Sequence, residues 1–158
     1  MQKLYISVGM DNSDRTINFV DREINNLAEL AVITANHNYS NISFKSGYRK
    51  GINFQGVSLL TLDVDDGYTI DEVKMKLKGT RYLLVTTRHH QLSMKNGKAI
   101  VPKDKYRLFF PLETPITDPA LYQQIIKNLI KAFKADEKCC DLARFYYCNP
   151  NQEVHYGE

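Results

Sequence analysis

The chain has 158 residues, 43% of them hydrophobic, enough for one compact domain with its own core (residues 1–158) and too few for two large ones. No run of 18 apolar residues occurs and the amino terminus lacks a basic-then-apolar signal pattern, so the expectation is a cytoplasmic protein without a membrane segment. The net charge of +3 hides a segregation: residues 74–107 hold ten Lys or Arg against one acid, Asp104, so this stretch carries +9 and the remainder −6.

In chain order, Leu4 to Val8 reads as a short strand. Ile17, Val20, Ile24, Leu27 and Ala31 recur at spacings of three and four behind an Asn-Ser-Asp cluster, which predicts one helix with these residues on its buried face. Residues 36–56 are rich in Asn, Ser and Gly and read as loop and short extended pieces. They carry Lys45, Arg49 and Lys50, candidates for phosphate contact.

Residues 57–67, Val-Ser-Leu-Leu-Thr-Leu-Asp-Val-Asp-Asp-Gly, are the most informative stretch. The apolar run predicts a buried strand, and alternation along a strand points Asp63 and Asp65 the same way. Two carboxylates side by side repel each other and are costly to bury unless a cation neutralises them. An all-oxygen set suits Mg²⁺ or Mn²⁺. The alternative is turn chemistry, for which Asp-Asp-Gly is equally suited. Asp66 falls on the opposite face and reads as a turn residue.

Thr69 and Glu72 form a capping box for a short helix bearing Ile70, Val73 and Leu77, closed by Gly79. Tyr82 to Thr87 is β-rich, Asn96-Gly97 is a hairpin turn, and Tyr106 to Leu112 is a strand expected to pair with the run before it. The Lys and Arg residues through this region make a field that attracts polyanions, phosphates above all; the alternative is a merely solvated surface. Asp118-Pro119 opens a helix with the stripe Leu121, Ile125, Ile126, Leu129, Ile130 and Phe133. Arg144 to Tyr147 reads as a last strand, with Tyr146 and Tyr147 as core residues. Arg144 is suited to a phosphate or to a salt bridge with Asp141. Cys139, Cys140 and Cys148 suggest no disulfide framework. With His155 they could be assembled into a zinc set, but adjacent cysteines depart from the usual ligand spacing, and buried thiols are the reading. Strands alternating with helices and hairpins argue for an α/β or α+β domain.

Four pieces occur in order: Leu-Asp-Val-Asp-Asp-Gly, Thr-Thr-Arg-His-His-Gln, Lys-Tyr-Arg-Leu-Phe-Phe-Pro-Leu-Glu, and Ala-Asp-Glu-Lys-Cys-Cys-Asp-Leu-Ala-Arg-Phe-Tyr-Tyr. Together they resemble the archaeo-eukaryotic primase superfamily, and within it the primase-polymerases of plasmids and phages. The resemblance implies a small α/β unit joined to a ferredoxin-like or RNA-recognition-like sheet, with the active site in the cleft between them. It implies Asp63, Asp65 and Asp136 as the carboxylates for two catalytic ions, Mg²⁺ or Mn²⁺, and His90 as the residue at the phosphates of the nucleotide. Where the family has a small hydroxyl residue before this histidine, the chain has Arg88 and His89, which leaves the choice between His89 and His90 open.

Arg88, Arg107 and Arg144 are cations suited to the nucleotide phosphates; Arg49, Lys50 and Lys105 are candidates for nucleic acid. The implied partners are nucleoside triphosphates, a single-stranded DNA template, and a replicative helicase, separate or attached, so the chain is compatible with the N-terminal fragment of a longer replication protein. The activity implied is template-dependent primer synthesis or extension. Two alternatives stand beside it: a rolling-circle initiator, which nicks DNA with a tyrosine and a histidine-bound metal, and a degenerate nucleotide- or single-stranded-DNA-binding module.

Overall fold

The computed structural model describes residues 3–157. A small antiparallel sheet in the order β2-β1-β3 is built from β1 (Leu4–Gly9), β2 (Phe19–Ile24) and β3 (Tyr39–Ser40), with α1 (Leu27–Asn36) between the last two. The larger sheet has five strands, again all antiparallel to their neighbours. It comprises β4 (Ile42–Phe44), β5 (Phe54–Val64), β6 (Tyr82–Thr86), β9 (Tyr106–Ile116) and β10 (Val154–Gly157), in the order β10-β6-β9-β5-β4. Helix α2 (Ile70–Lys76) crosses from β5 to β6 while β9 lies between those two strands, the split arrangement of ferredoxin-like sheets. The hairpin β7 (Met94–Lys95) and β8 (Lys98–Ala99) turns at Asn96-Gly97, and α3 (Pro119–Phe133) follows β9. The domain is α+β, as the alternation of elements predicts.

Burial on both faces explains the unbroken apolar run in β5. Leu60, Leu62 and Val64 pack with Leu84, Leu108, Val73 and Ile126 beneath α2 and α3. Leu59 on the other face packs with Leu83, Val85 and Phe109 against Leu4 and Ile6 of β1 and Leu30 and Ile33 of α1. Each such side chain contributes about 1.5–3 kcal/mol on leaving water. The central sheet is therefore a rigid plate between two cores, and Asp63 lies on the face that carries Leu59.

Two expectations about local structure are corrected. The helix predicted from Ile17 to Ala31 is instead a strand followed by a helix: Phe19 and Ile24 are buried on β2, Val20 is 55% exposed, and Asn26 caps α1 by accepting from the Glu29 N–H. The period-three-and-four spacing ran across a boundary that the Asn25-Asn26 pair marks, Glu29 accepting in return from the Asn25 N–H at 2.8 Å. Residues 144–147 form no ladder beyond a single bridge from Tyr146 to Tyr39. Their main chain is fastened to the small sheet instead, with Ser40 Oγ donating to Arg144 O at 2.6 Å and Cys148 N donating to Asn38 Oδ1 at 3.1 Å.

Candidate active site

Strand β5 ends at Val64, and Asp65 lies in the bend that follows. β4 pairs only with the beginning of β5, so the backbone edge at Asp63 is free for another segment. Residues 136–139 take it. Asp136 N donates to Asp63 O at 2.8 Å, and Asp63 N donates to Cys139 Sγ at 3.2 Å. Buried backbone groups need partners, so this pairing docks the later segment on the strand end. α3 stops two residues earlier at Lys134 in the left-handed conformation. There a Cβ on Gly67 would come 2.8 Å from Lys134 O and 2.9 Å from Val64 Cγ1. The bare glycine lets the turn after Asp65 pack directly on that helix end.

The result brings one carboxylate oxygen each of Asp63, Asp65 and Asp136 within 4.8 Å of one another, and among the described residues this is the only such group of three metal-ligating side chains. Cys139, Cys140, Cys148 and His155 do not converge; Cys139 and Cys148 are buried thiols, and burial pushes the Cys139 thiol up to about 11.

Two guanidinium groups hold Asp63. Arg107, directly opposite it on β9, donates from Nε to Oδ1 at 3.2 Å, and Arg144 donates from Nη2 to Oδ2 at 3.2 Å. The same Arg144 nitrogen lies 3.7 Å from Asp136 Oδ2. Burial works against both arginine charges, but Tyr39 and Asp63 around Arg107, and Tyr146 and Asp63 around Arg144, outweigh it and raise both pKa values. Asp65 differs: burial, then Asp63 and Asp136, raise its carboxyl above the usual carboxylate range, with Lys105 and Arg107 only partly countering them. Among the described residues no hydrogen-bond donor reaches it. An uncompensated carboxylate beside two others is the chemistry that a hard divalent cation relieves, and the all-oxygen donor set fits Mg²⁺ or Mn²⁺.

Asp63 and Asp65 open into a cleft of about 460 Å³ lined also by Arg49, Thr87, Arg88, His89, Arg107 and the segment 143–147. Neither a family model nor a curated protein matches this chain. Among solved structures it is similar to the AEP domain of the primase-polymerase (PrimPol) of cyanophage S-2L, at 12% identity and a TM-score of 0.49, over 99% of this chain and 81% of that one.

The remaining candidates separate within the fold. His89 is exposed on the wall of the carboxylate cleft, whereas His90 faces a neighbouring pocket with Gln91 and Glu153, its Nδ1 accepting from the Lys105 N–H at 3.1 Å. The two histidines therefore line different pockets. Arg107 is 8% exposed, and a second of its nitrogens, Nη1, donates to Tyr39 Oη at 3.0 Å and to Tyr147 O at 2.7 Å. These bonds hold Arg107 in the cleft lining. Arg144 reaches Asp63 and Asp136 rather than Asp141.

Arg49 and Arg88 line the cleft but donate to backbone carbonyls, Arg49 to Thr16 O and Ala143 O and Arg88 to Cys148 O. Among the described residues no carboxylate pairs with either. Lys50 is exposed outside the cleft lining, and Lys105 is half-buried behind Asp65. Asp66 is a surface turn residue bound to Lys103 Nζ at 2.6 Å. Tyr146 is core, as read, but Tyr147 is 38% exposed and lines the cleft with Phe145. Alternation along Arg-Phe-Tyr-Tyr was the available signal, since an extended chain cannot turn three consecutive aromatic residues to one side.

Proposed function

We propose that this chain is a nucleotidyltransferase of the archaeo-eukaryotic primase type, which extends or makes primers on a single-stranded DNA template. The observation that carries the proposal is the convergence of Asp63, Asp65 and Asp136 at a cleft where Arg49 and Arg88 have no carboxylate partner among the described residues. The three carboxylates would hold two Mg²⁺ or Mn²⁺ ions, which when bound activate an attacking 3′-hydroxyl and neutralise a leaving pyrophosphate.

The protein's own part is placement. Arg107 and Arg144 fix the Asp63 carboxylate from both sides, so it is oriented before any ligand arrives. Arg49, Arg88 and His89 present cations or donors from the cleft walls to a triphosphate, and the fork of a guanidinium matches phosphate oxygens. Arg144 sits between Asp63 and Asp136, where its charge can be shared with a phosphate once other cations neutralise those carboxylates. The basic stretch from Lys74 to Arg107 gives a single-stranded template a surface to follow, and binding through it releases counterions, so affinity should fall steeply with salt.

The test is incubation of the protein with a primed single-stranded template, Mn²⁺ and labelled nucleoside triphosphates. Elongation that copies the template and disappears in Asp136→Asn is the expected result. Binding of nucleotide and DNA without elongation, in Mg²⁺ or Mn²⁺, would replace the proposal with a binding module. Template cleavage with a tyrosine-linked product would replace it with a nicking enzyme.

A further inference from the structure

Along the cleft wall the rings of Phe145 and Tyr147 meet edge to face, with centroids 5.3 Å apart and planes at 73°. The Arg49 guanidinium lies over Phe145 at 4.4 Å, and that of Arg88 lies over Tyr147 at 5.6 Å. The wall thus runs cation, ring, ring, cation. Tyr146 between them is turned away, 1% exposed and stacked on Tyr39. Cation–π contact and hydrogen bonds to carbonyls hold both arginines in place without neutralising them.

This wall is tied to the carboxylates through one side chain. Arg107 donates to Tyr147 O at 2.7 Å from Nη1 and to Asp63 Oδ1 at 3.2 Å from Nε. The backbone that carries the exposed ring is therefore one guanidinium away from the cation-suited cluster, within the reach of a single nucleotide. A flat apolar face, two unneutralised cations and an acidic site at that spacing match the base and the phosphates of one molecule.

Building on the nucleotidyl-transfer reading above, we propose that Tyr147, backed by Phe145, is the stacking platform for the base of the incoming nucleoside triphosphate, whose phosphates meet Arg88 and Arg49. Every base has a π face, so the platform accepts all four and leaves selection to the template. Stacking needs the ring and not the hydroxyl. Tyr147→Phe should therefore behave as the parent, while Tyr147→Leu keeps apolar bulk and loses the flat face.

The experiment measures binding of 2-aminopurine nucleoside triphosphate by fluorescence in the presence of Mg²⁺, with inorganic tripolyphosphate as a phosphate-only competitor. Expected are quenching of the base in the wild type and in Tyr147→Phe, and an affinity loss of about 5- to 100-fold with loss of quenching in Tyr147→Leu. Tripolyphosphate affinity should stay unchanged in all three, which also shows that the cleft of the Leu variant is intact. Unchanged nucleoside triphosphate affinity in Tyr147→Leu would overturn the platform and leave the phosphate site and the proposed function standing. A loss confined to single-stranded oligonucleotides would overturn it in favour of a template contact. A wild type that binds neither tripolyphosphate nor nucleotide would remove the nucleotidyl-transfer reading, and the platform with it.

Discussion

The main chain of Asp136 donates to the main chain of Asp63 at 2.8 Å, so two distant acidic segments are joined by backbone before their side chains meet. That bond makes Asp136→Asn a clean probe of the site. The Asp136 side chain also accepts from the Lys138 N–H at 2.9 Å, and asparagine preserves this cap. We expect an unfolding midpoint close to the parent's and a Mn²⁺ affinity lower by at least about tenfold, a loss that even outer partners of metal sites produce. Calorimetric titration with Mn²⁺ measures it. Equal affinity in the variant would remove Asp136 from the ligand set.

Much of the site was legible because strand alternation is a strong local rule: Asp63 and Asp65 read as a pair from eleven consecutive residues, and the capping box at Thr69, the hairpin at Asn96-Gly97 and the helix opened by Asp118-Pro119 stand where their signals fall. What stayed hidden depends on pairing between distant segments. Nothing local says that Arg107 spends its donors on Asp63, Tyr39 and Tyr147, or that β10 closes the sheet beside β6. The choice between adjacent histidines depended on how the chain turns after β6, and that turn places His89 rather than His90 in the cleft.

Asp65 supplies a pH-dependent prediction. Its pKa is raised, chiefly by burial and then by Asp63 and Asp136, so the folded metal-free protein holds this proton more tightly than the unfolded chain does. The corresponding stability is fully present below the ordinary carboxylate value and is lost as pH rises through the raised one. Asp65→Asn should therefore raise the melting temperature of the metal-free protein at pH 7, with the difference shrinking toward pH 4. At this chain length each kcal/mol moves the midpoint by about 2–4 °C. Adding Mg²⁺ should stabilise the parent and leave the variant unchanged. A variant less stable than the parent at pH 7 without metal would contradict the assignment.

The two arginines on Asp63 should part company on mutation. Arg107 is buried, and replacing it with methionine leaves a carboxylate that is 7% exposed with Arg144 as its one remaining guanidinium partner, so Arg107→Met should lose about 3 kcal/mol in urea unfolding. Arg144 is more exposed and faces Asp136 as well, so Arg144→Ala should lose less, about 1 kcal/mol. Arg144→Ala should also bind Mn²⁺ more tightly in the absence of nucleotide, because a competing cation is gone, and nucleoside triphosphates more weakly. If urea unfolding ranks the two variants the other way, Arg107 is not the anchor of the site.

Initiation should be much weaker than extension. A cleft of about 460 Å³ lies in the range of a site for one small ligand. On the reading proposed above, a single nucleotide fills it, with its base at Tyr147 and its phosphates near the arginines. Starting a primer requires two nucleotides and a template held together before any duplex exists, and each added partner carries an entropic cost of association. A supplied primer removes one of those partners by delivering its 3′-hydroxyl already paired to the template, which raises effective concentration. Assayed with Mn²⁺, nucleoside triphosphates and the same single-stranded template with and without a primer, this protein should extend readily and yield little product unprimed. Comparable yields in the two reactions would mean that a second nucleotide has a site of its own. The neighbouring pocket beside His90 and Asn149, which shares Thr87 and Arg88 with the cleft, would then be the place to probe, with His90→Ala expected to lower unprimed synthesis alone.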